Sequence, residues 1–475
     1  MRKLPVTAWC LPFVLLGCAS LPAPADVAAP LSALAPAQWQ VPLPHNGRSE
    51  DLGRWWQQHG DALLVELIDA AQSLSPSLAA AKSRIGQSRA ALGVSRAARG
   101  PTLDASASAA RSVTQPDIPL ATTLQAGLLA AWEVDLFGAA SSASAAAAGR
   151  LSGAQAMWHD ARVSVAAEVA NQYLQLVSCT RQSSLARQDG DSRAESVRLL
   201  GISTRAGFTA NGDLELGKAS AADAANQLVA VGAQCDVLVK GLVALTGFPE
   251  PDLRARFAQA AGGQADLAPV HVAVVPAEAL NQRPDLYAAA RDIDAAAQDL
   301  ASYNAQRYPR LSLNGSIGAL SVNAGGLSNS MATWSIGPVT LSVPLLDGGR
   351  RLANVEAAQY RYDEAVAIYR AKVRQAVREV EQALVNLQAA RNQRINSEVS
   401  AQAWRDSLDA VLARQRSGFA SQIDVENTRR MALAAETGRL ALQRDQLLAW
   451  VALYRAVGGG WQPAAVAAAD PDKTR

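Results

Sequence analysis

Four histidines and four cysteines carry the chain's capacity for metal and thiol chemistry. His45, His59, His159 and His271 are scattered, and neither His-x-x-x-His nor Cys-x-x-Cys spacing occurs. No metal site is therefore expected. There is no G-x-S-x-G elbow, phosphate-binding loop or dinucleotide fingerprint. Gly458-Gly459-Gly460 is followed by Trp461 and a short tail, so it reads as a helix stop rather than a phosphate cradle. His159-Asp160 reads as a solvated helix face rather than a catalytic dyad. No enzyme and no cofactor is expected. With 44 Lys+Arg against 42 Asp+Glu, the chain also lacks the basic excess of a nucleic-acid binder.

Cys18 is different, because its setting points to a modification. Arg2 and Lys3 precede an apolar stretch over 4–17 that ends in Leu15-Leu16-Gly17-Cys18. The charge, length and small-residue finish are those of a secretory signal. The stretch is too short to span a bilayer, and Pro5 and Pro12 count against a stable helix. Its end resembles the bacterial lipobox, in which the cysteine is acylated and becomes the first residue. Leu16 is less usual there than Ala or Ser. Ala19, rather than Asp, implies by the same resemblance the outer membrane. Several acyl chains on Cys18 would anchor firmly where one binds marginally. Removing Arg2 and Lys3 brings the 44 basic residues to parity with the 42 acidic ones. The Pro- and Ala-rich stretch 21–44 reads as an extended tether.

The elements behind these residues follow from composition and repetition. Hydrophobic residues make up 49% but aromatics only 5%, so much of the apolar half is small, chiefly alanine. That excludes a polytopic helical membrane protein, which needs repeated runs of ~20 large apolar residues. Two halves of the chain also match in order. Pro76-Ser77-Leu78 matches Pro284-Asp285-Leu286, and Pro101-Thr102-Leu103 matches Pro309-Arg310-Leu311, both 208 residues apart. Glu168-Val169 matches Glu379-Val380, and Gly207-Phe208 matches Gly418-Phe419, now 211 apart. The chain is read as a duplicated unit.

Each unit opens on a helical stretch, about 59–100 in the first. Two alternating runs follow. Leu124, Ala126, Leu128, Ala130 and Trp132 alternate with polar or small residues, as do Leu311, Leu313 and Ile317. The first pair of strands is joined through 115–117 and the second through 323–329. A phase slip at Gly337-Pro338 predicts a β-bulge. Alternation alone leaves two readings open: a soluble sheet with one face on a core, or a membrane barrel, whose strands need ~9–11 residues. Trp132 and Trp334, near opposite ends of their hairpins, would suit interfacial girdles. Long helical tracts without proline then run over 139–205 and 348–416, each turning at a glycine into a return helix. Leu228, Val231, Cys235, Leu238, Leu242 and Leu245 step as a coiled-coil seam, and so do Val366, Tyr369, Val373, Val377, Val380, Leu384 and Leu387. A hairpin turning at Gly207 puts Cys179 and Cys235 at one level. Axes 8–10 Å apart set against the ~7 Å Cα limit of a disulfide leave a bond possible and two reduced core cysteines the blander expectation.

With these elements in place, the chain resembles the outer membrane factor (TolC-like) family, in its NodT/RND-type efflux lipoprotein branch. The residues that carry the resemblance are the lipobox, Trp132-Glu133-Val134-Asp135-Leu136-Phe137-Gly138, Gln282-Arg283-Pro284-Asp285-Leu286, Pro344-Leu345-Leu346-Asp347-Gly348-Gly349-Arg350 and Leu453-Tyr454-Arg455-Ala456-Val457-Gly458-Gly459-Gly460-Trp461. The resemblance implies an α+β membrane channel: a homotrimer with four strands per protomer in a twelve-stranded β-barrel, continued by a long α-helical periplasmic barrel. The segments would then be signal peptide 1–17, lipidated tether and start of an equatorial region 18–54, and first repeat 55–250 with β-hairpin 101–135 and helical hairpin 139–248. An inter-repeat equatorial segment 251–275 would precede the second repeat, 276–461, with β-hairpin 309–346 and helical hairpin 348–458. A tail, 462–475, would end the chain.

The same resemblance implies the site. The family carries a D-V-L-D-A pattern at its periplasmic gate. Asp424-Val425-Glu426-Asn427-Thr428 stands there in this chain, so Asp424 fits the first carboxylate, Asn427 replaces the second, and Glu426 lies one position away. The alternative for Asp424 is a helix-start acid. Gly207, Phe208, Gly418 and Phe419 match tips that meet a periplasmic adaptor (membrane fusion) protein, unless the phenylalanines fold back as staples. An inner-membrane transporter, RND or other, would supply the energy. The expected function is a passive exit channel of a tripartite efflux system. A type I protein secretion duct and a non-conducting coiled-coil lipoprotein are the alternatives.

Overall fold

The computed structural model describes residues 31–40, 55–56, 61–113, 120–260 and 276–461. The signal segment, Cys18, most of the tether, the first hairpin's connection, 261–275 and the C-terminal tail lie outside the described residues. The described chain divides into two compact units. One holds the residues of 86–152 and 290–368, the other those of 30–85, 153–289 and 369–475. Helices α3 (Pro76–Ala97), α4 (Ala139–Arg205), α8 (Pro284–Ala305) and α9 (Arg350–Arg416) contribute to both.

The first unit is organised by a four-stranded antiparallel sheet in the order β1-β2-β3-β4. Its strands are β1 (Thr102–Ser112), β2 (Ala121–Val134), β3 (Arg310–Ala324) and β4 (Leu327–Ser342). The two repeats thus meet along β2 and β3, pairing from Ala121↔Ala324 to Val134↔Leu311. Gly127 faces Gly318 across this seam. A Cβ on Gly318 would lie 2.5 Å from the Ala126 carbonyl oxygen, and one on Gly127 2.8 Å from that of Ile317. Glycine is required at both by this close approach.

The expected bulge is present. Leu313 pairs with Val339 and Gly315 with Ile336, so Gly337 and Pro338 together oppose Asn314. Gly337 adopts a φ of +111°, and Asn314 Nδ2 donates to the Pro338 carbonyl at 3.3 Å. Two expectations are corrected. The loop read over 323–329 is a two-residue turn at Gly325-Gly326, both with positive φ, as a primed hairpin turn demands. β4 therefore starts at Leu327, and Trp334 falls at mid-strand, paired with Ile317, rather than near a hairpin end. Trp132 does lie two residues from the end of β2, and its indole N–H donates to the Arg99 carbonyl at 2.9 Å.

Aspartates at the two strand-to-helix junctions start the long helices. Asp135 accepts from the backbone N–H groups of Ala140 and Ser141 at 3.1 and 2.7 Å. Asp347 accepts from those of Gly349 and Arg351 at 3.1 and 3.2 Å, and from the Arg351 side chain. Each thereby satisfies donors that a helix start leaves unpaired. Both stand inside the sequence motifs quoted above, which gives those motifs a mechanical reason.

The second unit is helical. It contains α1 (Leu31–Leu34), α2 (Ala62–Leu74), α5 (Asn211–Thr246), α6 (Glu250–Ala260), α7 (Pro276–Leu280) and α10 (Gln422–Ala456), with parts of the shared helices. The first helical stretch is broken between α2 and α3, because Pro76 takes the first helical position, where its missing N–H costs nothing. Asp61 caps α2 through the Leu64 N–H and also accepts the Tyr173 hydroxyl at 2.8 Å. α4 and α9 each run for 67 residues, about 100 Å at 1.5 Å per residue. Every expected seam position on α5 and α9 is buried or half-buried, while Val229, Val237 and Val385 between them are exposed.

Cys179 on α4 and Cys235 on α5 form a disulfide, with Cα atoms 5.6 Å apart. This corrects the expectation of two reduced cysteines. Each Cα lies about 2.3 Å off its helix axis, so residues that face each other across ordinarily packed helices come within reach of a disulfide, and these two face each other. At Gly241, a further level of the same hairpin, an added Cβ would collide with the Gln172 carboxamide.

Candidate functional site

The two helical turns are near copies of each other. Gly207 and Gly418 both have φ +80°, the left-handed conformation of a helix-ending glycine. Phe208 N–H donates to the Ser203 carbonyl at 3.0 Å, and Phe419 N–H to that of Arg414 at 2.8 Å. The phenylalanines are 86% and 78% exposed, so neither folds back as a staple.

Just beyond the second turn, α10 begins with a capping box. Ser421 Oγ accepts the Asp424 backbone N–H at 3.1 Å, and the Asp424 carboxylate accepts the Ser421 N–H at 2.9 Å and hydroxyl at 2.7 Å. Asp424 is exposed. Hydrogen bonds from the Ser421 hydroxyl and N–H hold its carboxyl below the usual range; desolvation opposes them, and the charge of Arg414 adds a lesser lowering. It stays ionised at neutral pH.

Glu426 does not stand with Asp424 as a second exposed carboxylate. It is 0% exposed and accepts from Ser192 Oγ of α4 at 2.6 Å, Gln422 Nε2 at 2.9 Å and Arg429 Nη1 at 2.9 Å. One turn further, Arg430 Nη1 donates to Ser196 Oγ at 3.0 Å, and its other nitrogen to Asn427 Oδ1. Ser192 and Ser196 on α4, and Glu426 and Arg430 on α10, thus form two rungs with i,i+4 spacing on each helix. Asn427 is exposed. Nothing in the local sequence marks the serines, since their partners lie 234 residues away.

The R-P-D and closing-motif residues assemble at the far end of α10. Arg283 donates to Asp285 at 2.8 and 3.0 Å, to Glu379 of α9 at 2.8 Å and to the Ala456 carbonyl at 2.8 Å. Burial opposes its charge, but these acids hold its pKa above the ordinary value. Gly458 packs on this loop, where an added Cβ would lie 2.8 Å from the Arg283 Cα. Tyr454 stacks on Trp55 at 4.9 Å. The R-P-D and L-Y-R-A-V-G-G-G-W segments are therefore one packed joint. Among the described residues no His/Cys/Asp/Glu group is arranged to hold a metal.

A duplicated chain with a four-stranded sheet and two long helical hairpins defines the class: an α+β outer-membrane channel. The chain belongs to the outer membrane efflux protein family, whose sequence profile matches residues 67–248 and again 275–459, one match per repeat. It is 30% identical over 423 residues to outer membrane protein OprJ of Pseudomonas aeruginosa, covering 87% of this chain and 88% of OprJ. It is 29% identical over 466 residues to the solvent efflux pump outer membrane protein SrpC of Pseudomonas putida, covering 94% and 96%. The solved outer-membrane channel OprN superposes with a TM-score of 0.75 at 25% identity, over 93% of this chain and 98% of that one. The protein is an outer-membrane efflux channel that extends into the periplasm.

Proposed function

We propose that this chain forms a homotrimer that acts as the passive exit duct of a tripartite efflux system. The observation that carries the reading is the sheet. Its strands are 11 to 16 residues long, and among the described residues β1 and β4 have no partner on their outer edges. In a bilayer such edges must pair. Three copies supply twelve strands, and closure removes every edge. Residues of both sheet faces, Leu128 and Leu129 among them, are exposed in the single chain, as a wall between lipid and a water-filled lumen requires.

In this reading the duct catalyses nothing, and an inner-membrane transporter, RND or other, supplies the energy. Phe208 and Phe419 beside Gly207 and Gly418 contact the periplasmic adaptor. Asp424 and Asn427 face the constriction, with Glu426 buried behind them. Trp132 meets one membrane interface, and Trp334, at mid-strand, meets the acyl region. Acylated Cys18 adds a lipid anchor. SrpC is named for solvent efflux, which supports small molecules as cargo over a secreted protein.

The test is single-channel recording in planar bilayers, paired with drug and solvent susceptibility of a deletion strain. Conductance with raised susceptibility is expected. A folded trimer without conductance, even as the Asp424→Asn variant, would leave a structural lipoprotein. Conductance with loss of a secreted protein and unchanged susceptibility would favour the secretion duct.

A further inference from the structure

We infer that the tip of the second helical hairpin is charge-compensated, so that the duct admits anionic solutes as readily as cationic ones, with Glu426 serving as a clasp rather than a pore charge. The inference rests on the exit-duct reading and specifies the cargo it tolerates.

A cation-selecting constriction needs carboxylates that face the ion path and are not cancelled locally. Between residues 411 and 430 the chain has two acids, Asp424 and Glu426, against four arginines, 414, 416, 429 and 430. Glu426 is withdrawn from solvent, and Arg429 bonds both of its carboxylate oxygens at 2.9 Å. Its remaining bonds, from Ser192 and Gln422, tie α10 to α4. Breaking such a pair leaves a buried charge uncompensated, so it persists. Asp424 is the remaining acid of this segment, and Arg414 stands at the same turn, its guanidinium donating to the Phe419 carbonyl at 3.3 Å. Asn427, exposed on the same first turns of α10, is neutral and accepts from Arg430. Arg430 therefore has an amide and a hydroxyl, rather than a carboxylate, as its bonded partners. Three copies of this segment bring no excess of negative charge to the axis.

The experiment is the reversal potential of the reconstituted trimer across a potassium chloride gradient, at ionic strength near 0.1 M, where screening extends ~10 Å. The wild type, Asp424→Asn, Asn427→Asp and Glu426→Gln are compared. The expected wild-type K⁺/Cl⁻ permeability ratio is within about twofold of unity, and Asn427→Asp raises it roughly fivefold, since it adds three exposed carboxylates. Asp424→Asn shifts the ratio toward chloride, while Glu426→Gln, if it assembles, moves it less than Asp424→Asn does. A wild-type channel that prefers potassium about fivefold or more overturns the inference while leaving the duct intact. So does a shift for Glu426→Gln as large as that for Asp424→Asn. Absence of conductance in every variant overturns the duct reading itself, and this inference with it. The two exposed positions keep the test decisive should the buried variant fail to fold.

Discussion

Cys179 and Cys235 are joined across the first helical hairpin, 56 residues apart in sequence and 5.6 Å apart between Cα atoms. The corresponding positions of the second hairpin are Ala390 and Gln446, so the two repeats differ in cross-linking. A closed loop of this size contributes up to about 4 kcal/mol by loss of unfolded-chain entropy. Replacing both cysteines by serine, or reducing the bond, is expected to lower the urea midpoint of the purified protein. The readout is unfolding followed by circular dichroism with and without reductant. An unchanged midpoint would show that the bond contributes no stability.

Asp160 and Asp285 are expected to respond to pH in opposite senses. Burial, and then the charge of Asp285, push the Asp160 carboxyl above its usual range despite Arg283, Arg455 and Lys372 nearby. Its ionisation therefore opposes folding at neutral pH, and the penalty disappears as pH falls below the ordinary carboxylate value of about 3.9. Asp160→Asn should stabilise at pH 7 and lose that advantage in acid. Burial also works against Asp285, but the Arg283 hydrogen bond and charge outweigh it and hold its pKa below normal. Its contribution is present above the ordinary carboxylate pKa and is lost as pH falls through the depressed folded value. Asp285→Asn should destabilise at pH 7, with the difference narrowing in strong acid. Urea midpoints at stepped pH read both, and parallel curves for the two variants would refute the assignment.

Gly318→Ala is expected to impair the sheet, because the new methyl group would meet the Ala126 backbone oxygen at 2.5 Å. Overpacking of this kind costs ~1–3 kcal/mol. Gly315→Ala should be milder, since its nearest neighbour would be the Ser335 oxygen at 3.4 Å. The yield of heat-resistant oligomer on a detergent gel should rank wild type, then Gly315→Ala, then Gly318→Ala.

Phe208→Ala and Phe419→Ala remove side chains that are almost wholly exposed. Each should change stability by no more than about 0.5 kcal/mol. Susceptibility of cells to pump substrates should nevertheless rise, most in the double variant, if the tips meet an adaptor. Wild-type susceptibility in the double variant would remove the tips from that role.

Much of this protein is determined by local sequence. Alternation yields the strands, proline-free alanine-rich tracts yield the 67-residue helices, and glycines at 207 and 418 end them with positive φ. Repetition at a near-constant offset pairs the halves, and coiled-coil steps mark the faces that become buried. Each of these depends on residues within a few turns of one another, where periodicity and backbone preference dominate. What only the tertiary structure decided depends on distance and rotational phase between distant segments. Whether two level cysteines bond turned on whether they face each other across the hairpin, and Trp334 reached mid-strand because Gly325-Gly326 makes the turn so short. Glu426 reads as one more acid beside Asp424, yet the helical rotation of two residues turns it inward to Ser192, 234 positions away. No periodicity within α10 encodes that partner; it exists because α4 packs against that face.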